Sequence, residues 1–376
     1  MYKRQPVNGT ILDGTVTVLG YAVDAYTSGA NAISSVQVWL DGSFLTTATY
    51  GVSDPGACTP FPNAPGCPNV GFTYQFATST LSAGSHTLDF YALDSSAPAN
   101  IGSAGLQFTV RSGPPVPFNF NGGTGPDIIW EDPNSGFAQV WYLGGSQGVT
   151  VLGAADLTKT NPWHIVGIGD FDGNGTPDVV WQDPVSGAVQ VWFLGGPGGN
   201  VLMSAANITN SNVWHVVSVG DFNKDGHPDL LWEDPSSGFS QIWYMGGPQG
   251  LTYQGSANLN QTNPWHIVGS GDFNGDGFPD VLWQDPVTGT VQIWYMGGTT
   301  AGQEGSQLQS ATNLTANQWH VVAIADFNQD GHPDVVFQSP ANGAAQAFFY
   351  NGTQGTNFLG TGVISNGNPW YIAGPH

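Results

Sequence analysis

The residues of this chain best placed to do chemistry are aspartates and asparagines that return at one fixed spacing. Four nine-residue segments, 170–178, 221–229, 272–280 and 326–334, read D-F-[D/N]-x-[N/D]-G-x-P-D. Side-chain oxygens stand at positions 1, 3, 5 and 9, a glycine at 6 permits a sharp bend, and position 7 offers a backbone carbonyl. In the first segment these are Asp170, Asp172, Asn174, the Thr176 carbonyl and Asp178. The second supplies Asp221, Asn223, Asp225, the His227 carbonyl and Asp229, and the third Asp272, Asn274, Asp276, the Phe278 carbonyl and Asp280. The fourth supplies Asp326, Asn328, Asp330, the His332 carbonyl and Asp334. Calcium, a hard cation that takes six to eight oxygen ligands, suits such a set. The expectation is about four Ca2+ ions, one per intact loop. No nitrogen or sulfur donor sits among these positions, which argues against zinc, copper or iron. Left without a cation, three crowded carboxylates would repel one another. An upstream copy, 119–127, carries Asn119, Asn121 and Gly123 at positions 1, 3 and 5 and Thr124 where the glycine is needed. It is expected to keep the turn and to have lost the ion.

Such loops need elements to hold them, and the spacing says which. From Asn119 the loops follow at steps of 51, 51, 51 and 54 residues, and Trp163, Trp214, Trp265, Trp319 and Trp370 keep the same time. A period near 50 with several short apolar runs per unit reads as β-propeller blades. Within a unit the pattern predicts a strand led by Trp163, the acidic loop, a second strand ending at Trp181, a D-P-V-S-G turn at Asp183 to Gly187, a third strand from Val189 to Phe193 and a weaker fourth around Val201 to Ala205. The first loop lacks a Trp-led strand before it, and the chain ends on such a strand at Trp370 to Ala373. Joining the two would hide both sheet edges, which predicts five blades closed by the C-terminal strand.

The segment GDFNGDGFPDVLWQDPVTGTVQIWYMGG, Gly271 to Gly298, resembles the FG-GAP or VCBS repeats of integrin-α-like and bacterial secreted propellers, and the resemblance extends over residues 118–376. It implies a calcium-binding propeller. It leaves function open among adhesion, sugar binding, an appendage to an enzyme and a scaffold.

Residues 1–111 differ. Alternating runs at Thr15–Leu19, Val36–Leu40, Phe72–Phe76, Thr87–Tyr91 and Leu106–Val110, with an Asp41-Gly42 hairpin signal, predict a β-sandwich. The stretches GTVTVLGYAVDA and YGVSDPGACTPFPNAPGCPNVGF resemble bacterial Ig-like domains. The fold expected is therefore all-β: an Ig-like β-sandwich at 1–111, a proline-rich linker at 112–117, and a five-bladed propeller at 118–376. Cys58 and Cys67 lie nine positions apart without metal-ligand spacing, so a disulfide and an oxidising compartment are expected. The stretch from Tyr2 to Leu12 reads as an extended segment that either adds to a neighbour's sheet or forms the first strand of its own sandwich.

Composition limits the partners. Formal net charge is -22 from 27 acidic and 5 basic residues, which excludes nucleic acid. Charged residues are 9% of the chain against the roughly 25% usual for soluble domains. No apolar stretch is long enough for a membrane span or a signal-peptide core, so a mature or truncated secreted product, at the cell surface or outside it, is expected. Five N-x-[S/T] triplets, at Asn8, Asn207, Asn260, Asn313 and Asn351, are candidate glycosylation sites, three of them expected on equivalent outer loops. His164, His215, His266 and His320 follow the blade tryptophans, where a repeated packing contact is expected over a ring of metal ligands. Eight further tryptophans, led by Trp130 and Trp141, are expected in blade cores rather than as sugar platforms. No catalytic set emerges: Glu131 and Glu233 precede the Asp-Pro turns, yet Gln182, Gln284 and Gln338 replace them in the other units. The function expected is that of a non-enzymatic, calcium-stabilised surface or matrix protein, self-assembling or adhesive, that engages copies of itself or other surface proteins; glycan binding is the alternative.

Overall fold

The computed structural model describes residues 2–5, 10–12, 15–24, 32–61, 63–81, 84–95, 101–110, 117–132, 134–157, 163–208, 214–259, 265–316, 318–365 and 367–375. Asn8, Asn260 and, apart from Pro117, the linker 112–117 lie outside the described residues. The chain divides into two compact units, Met1–Pro115 and Val116–His376.

In the first unit one sheet orders Tyr2–Gln5, Thr15–Tyr21, Gly71–Ala77 and Thr49–Val52. The other orders Thr10–Leu12, Ile101–Val110, Gly84–Asp94, Ile33–Leu40 and Ser43–Thr47. The period-2 pattern decides which faces meet. Val16, Val18 and Phe72 of one sheet share a core with Val36, Val38, Leu88, Phe90, Leu106 and Phe108 of the other. Asp41 and Gly42 both take the left-handed conformation that a tight hairpin turn demands. Asp41 Oδ1 accepts from the Thr87 amide at 2.8 Å, and Cys58 and Cys67 are joined as a disulfide. Of the two courses open to the N-terminal segment, the structure takes the internal one: Tyr2 pairs with Tyr21, and Thr10 pairs in parallel with Phe108. Strand donation to a neighbour therefore loses its main support, because Tyr2–Gln5 and Thr10–Leu12 each pair within their own unit.

The second unit holds five four-stranded antiparallel sheets among the described residues. The sheet carrying loop 170–178 has His164–Gly169, Asp178–Gln182, Val189–Gly195 and Val201–Ile208 in order, and the next three repeat this pattern from His215, His266 and His320. In these four sheets the second strand is buried at every residue, as in Asp178–Gln182, so its middle reads as an unbroken apolar run, Val179 to Trp181, instead of alternating. The sheet carrying loop 119–127 has three sequential strands, and the chain's last strand, Tyr371–Ile372, pairs with Trp130 and Glu131 to complete it. The Ile129 carbonyl also accepts from the Ala373 amide at 2.8 Å.

Apolar clusters straddle neighbouring sheets. Ile128, Trp130 and Leu143 of the first sheet pack with Phe327, Val336 and Phe349 of the last. Gly148, at φ +64, lies so close to Phe327 that any Cβ would overlap the Phe327 carbonyl oxygen, a contact only glycine permits. Trp130, Trp181, Trp232 and Trp283 are fully buried, each against a third-strand tryptophan with ring centroids 4.9, 5.0, 4.7 and 4.8 Å apart. They fill cores, where offset aromatic pairs are favoured.

Hydrogen bonds cross each seam at the residue before the second turn. Gln182 accepts from the Val216 amide at 3.0 Å and donates to the Trp214 carbonyl at 2.8 Å. Gln284 and Gln338 do the same with Val321 and Trp319, and with Ile372 and Trp370. Glu131 and Glu233 accept the equivalent amides, Ile165 at 3.0 Å and Ile267 at 3.3 Å. A carboxylate has no proton for a carbonyl, and its second oxygen faces a histidine instead: His164 Nδ1 at 2.8 Å from Glu131 and His266 Nδ1 at 3.7 Å from Glu233. The histidines themselves correct an expectation. His164 and His266 are 46% and 54% exposed, not packed away. His164 and His215, with Val166, Val217, Val268 and Val322, line a recess of about 440 Å3 to which all five leading strands contribute.

Candidate metal centres

Each acidic loop joins the first two strands of its sheet, and its bend is built by its own side chains. In loop 170–178, Asp170 accepts from the amides of Asn174 at 3.0 Å and Gly175 at 2.9 Å. Asp172 accepts from Asn174 at 3.1 Å, and Asn174 Oδ1 from Thr176 at 2.7 Å. Turns of this kind are what short Asp and Asn side chains favour. The fold consequently converges carboxylates on one point: ligand oxygens of Asp170, Asp172 and Asp178 all lie within 4.8 Å of one another. Burial first, then the charge of Asp172, raises the Asp170 carboxyl to about 6. Burial first, then Asp172, also holds Asp178 well above the usual carboxylate range. A hard divalent cation would relieve both causes, and every donor is oxygen. The residues present fit calcium, with Asp170, Asp172, Asn174, the Thr176 carbonyl and Asp178 as its holders.

The other three loops differ in one respect. Their acids stand at positions 1, 5 and 9, and the asparagine at 3 turns its amide onto the acid at 5. Asn223 donates to Asp225 and Asn274 to Asp276 at 3.1 Å, and Asn328 to Asp330 at 3.3 Å. Among the described residues only the trio of the first loop converges within 4.8 Å. Burial, as the largest cause, nevertheless raises Asp229 and Asp334 to about 7 and Asp280 to about 8. The donor chemistry is again all oxygen.

Position 9 does more than its place in a ligand set suggests. Asp178 Oδ1 accepts from the Leu194 amide of the third strand, and Oδ2 from the Phe171 amide, both at 2.9 Å. Asp229 holds Met245 and Phe222, Asp280 holds Met296 and Phe273, and Asp334 holds Tyr350 and Phe327 in the same way. Asp127, in the loop that lacks the other acids, holds Leu143 and Phe120 alike. These buried carboxylates are clamps between loop and third strand. The signal was in the sequence: Asp127 persists where positions 1, 3 and 5 have no acid. In the same loop Asn119 Nδ2 donates to the carbonyls of Gly123 and Gly125, both at 2.8 Å, so an amide ties the turn that lacks a carboxylate set.

Two of the sequons have a structural occupation. Asn207 and Asn313 lie on fourth strands, not loops, and accept from Gln190 at 2.8 Å and Gln292 at 3.0 Å. Those glutamines in turn accept from Trp192 and Trp294. Asn351 ends a third strand.

Comparison with protein families agrees with the repeat. A model described as FG-GAP-like repeat matches residues 170–232 and 272–337, and one described as FG-GAP repeat matches residues 213–256. The chain carries FG-GAP repeats. Among the described residues, no helix is long and apolar enough to cross a membrane.

Proposed function

We propose that this chain is a secreted, non-enzymatic adhesive protein. In this reading its second unit is a five-bladed β-propeller closed by the C-terminal strand and stiffened by about four calcium ions, and its first unit is an Ig-like sandwich. The observation that carries the reading is the convergence of Asp170, Asp172 and Asp178 in a bend that recurs at the same place in four sheets. FG-GAP repeats are typical of extracellular and surface proteins, and the disulfide suits that setting. The acids outside the loops support a binding role over catalysis: Glu131 and Glu233 serve seams, and Asp183, Asp234 and Asp285 tie their own turns through Ser186, Ser237 and Thr288. Other surface proteins are the partners this reading names, with self-association secondary because Tyr2–Gln5 and Thr10–Leu12 pair within their own unit.

Glycan binding is the second reading, and one recess favours it. The step of 54 residues inserts chain before Gln307, and there Gln303, Ser306 and Gln307 face Gln241, Ser256 and Asn258 around about 400 Å3. Six uncharged polar side chains suit a neutral, hydroxyl-rich ligand.

The test is binding of the full chain to arrays of extracellular proteins and of glycans, with calcium and with chelator, paired with electron microscopy of both samples. The adhesive reading expects separate particles and protein binding that chelator abolishes. Binding to glycans alone would favour the second reading, and fibres would favour self-assembly.

A further inference from the structure

The second unit contains two lysines and no arginine, and one of those lysines, Lys224, sits inside an acidic loop. It occupies position 4 at φ +62, where loops 119–127, 170–178 and 272–280 have glycine. A lysine in the left-handed region is strained relative to glycine, and strain of this kind persists where surrounding contacts hold it. Here the contacts are in the next loop. Lys224 Nζ donates to the Asp276 carbonyl at 2.7 Å and lies 3.4 Å from the centre of the Phe278 ring. A Cβ built on Gly277 would stand 2.9 Å from Nζ. The ammonium is thus seated on the bend that carries Asp272, Asp276 and Asp280.

A second position 4 behaves in parallel. Gln329, at φ +60, reaches loop 119–127, its Nε2 lying 3.2 Å from where a Gly125 Cβ would be. The side chain reaching the loop with three carboxylates is charged, and the one reaching the loop without that set is neutral. Position 7 matches as well: loops 221–229 and 326–334 have His227 and His332 there, whereas loop 272–280 has Phe278, whose face receives the ammonium.

We propose that Lys224 is a tethered counter-cation for loop 272–280, which steadies that loop without metal and makes it the weakest of the chain's calcium sites. The inference rests on the calcium reading of the loops. A resident positive charge offsets carboxylate repulsion when no metal is present and opposes an incoming divalent ion, at a cost of roughly five-fold in affinity for one charge acting through high dielectric. The site thereby answers calcium over a higher range than its neighbours.

Calcium titration of the full chain, followed by the amide resonances of Gly175, Gly226, Gly277 and Gly331 with calorimetry alongside, tests it. In the native chain Gly277 is expected to saturate last. Lys224→Gln keeps a residue that the equivalent position 329 already tolerates, and is expected to tighten the Gly277 site by roughly five-fold while lowering the metal-free melting temperature; Lys224→Arg should leave the affinity unchanged. A purely structural tether would instead weaken calcium at Gly277 when Lys224 is replaced, and that sign, or no change, overturns the proposal. So does a native titration in which Gly277 saturates with or before any of Gly175, Gly226 and Gly331, a result that needs no variant. If no resonance in any loop responds to calcium, the calcium reading itself fails and this inference with it.

Discussion

Loops 119–127 and 170–178 both lead into the second strand of their sheets, one with an amide and one with carboxylates at its head. In the first, Asn119 donates to the carbonyls of Gly123 and Gly125. In the second, Asp170 accepts from the amides of Asn174 and Gly175, and its charge meets those of Asp172 and Asp178. The direction of hydrogen bonding is reversed, and so is the need for a cation. What the two share is the aspartate at position 9, with both oxygens on backbone amides. Clamp and acidic cluster are therefore separable layers of one motif.

The largest expected effect breaks the shared layer. Asp127→Ala and Asp178→Ala each leave two buried amides without an acceptor, at about 1–3 kcal/mol per amide. Urea unfolding should find a loss of about 3–5 kcal/mol in both. Asp127→Ala should leave the stability gained from calcium intact, whereas Asp178→Ala should remove the part due to its loop. Equal calcium responses in the two variants would collapse the distinction.

Next comes the layer that differs. Asn119→Asp exchanges a donor for a charge facing two carbonyls, and about 2–3 kcal/mol of stability should be lost by the same assay.

The pH response should separate the loops further. In the metal-free protein the carboxyls of Asp170, Asp229, Asp280 and Asp334 are raised to about 6, 7, 8 and 7. The folded state then binds more protons than the unfolded one, so this contribution is fully present below about pH 4 and disappears as pH rises to about 8. Melting temperature in chelator should accordingly fall from pH 5 to 8. With calcium the slope should reverse or flatten, because the ion competes with those protons and binds tighter as pH rises. A melting temperature in chelator that climbs over this range would contradict the burial of these groups.

The smallest effect concerns the seams. Glu233→Gln supplies the donor that Gln182 offers to Trp214, and should stabilise by about 1 kcal/mol. Glu131→Gln should gain less, because it gives up the closer contact with His164.

Much of this was legible before the structure. The loop and tryptophan spacing located every second-unit sheet, and the absence of a Trp-led strand before loop 119–127 anticipated the pairing of Tyr371–Ile372 with Trp130 and Glu131. The alternation of Val36 and Val38 with Gln37 and Trp39 marked a core face. What stayed hidden were choices between partners that demand the same residue. Aspartate at position 9 serves an amide or a cation equally, and only the third strand's approach at Leu194 decides. Histidine after four of the five leading tryptophans recurs whether it is packed or exposed, and the recess lined by Val166 and its equivalents lies among residues remote in sequence. The strands Tyr2–Gln5 and Thr10–Leu12 would be extended in either course, and the sheet edges they meet in their own unit could not be read from their residues.

The central claim is tested most directly by a crystal structure grown with calcium, with ions located by their anomalous signal. One ion is expected in each of loops 170–178, 221–229, 272–280 and 326–334, held by oxygen alone, and none in 119–127. Ions missing from all four, or one bound at Asn119, would contradict it.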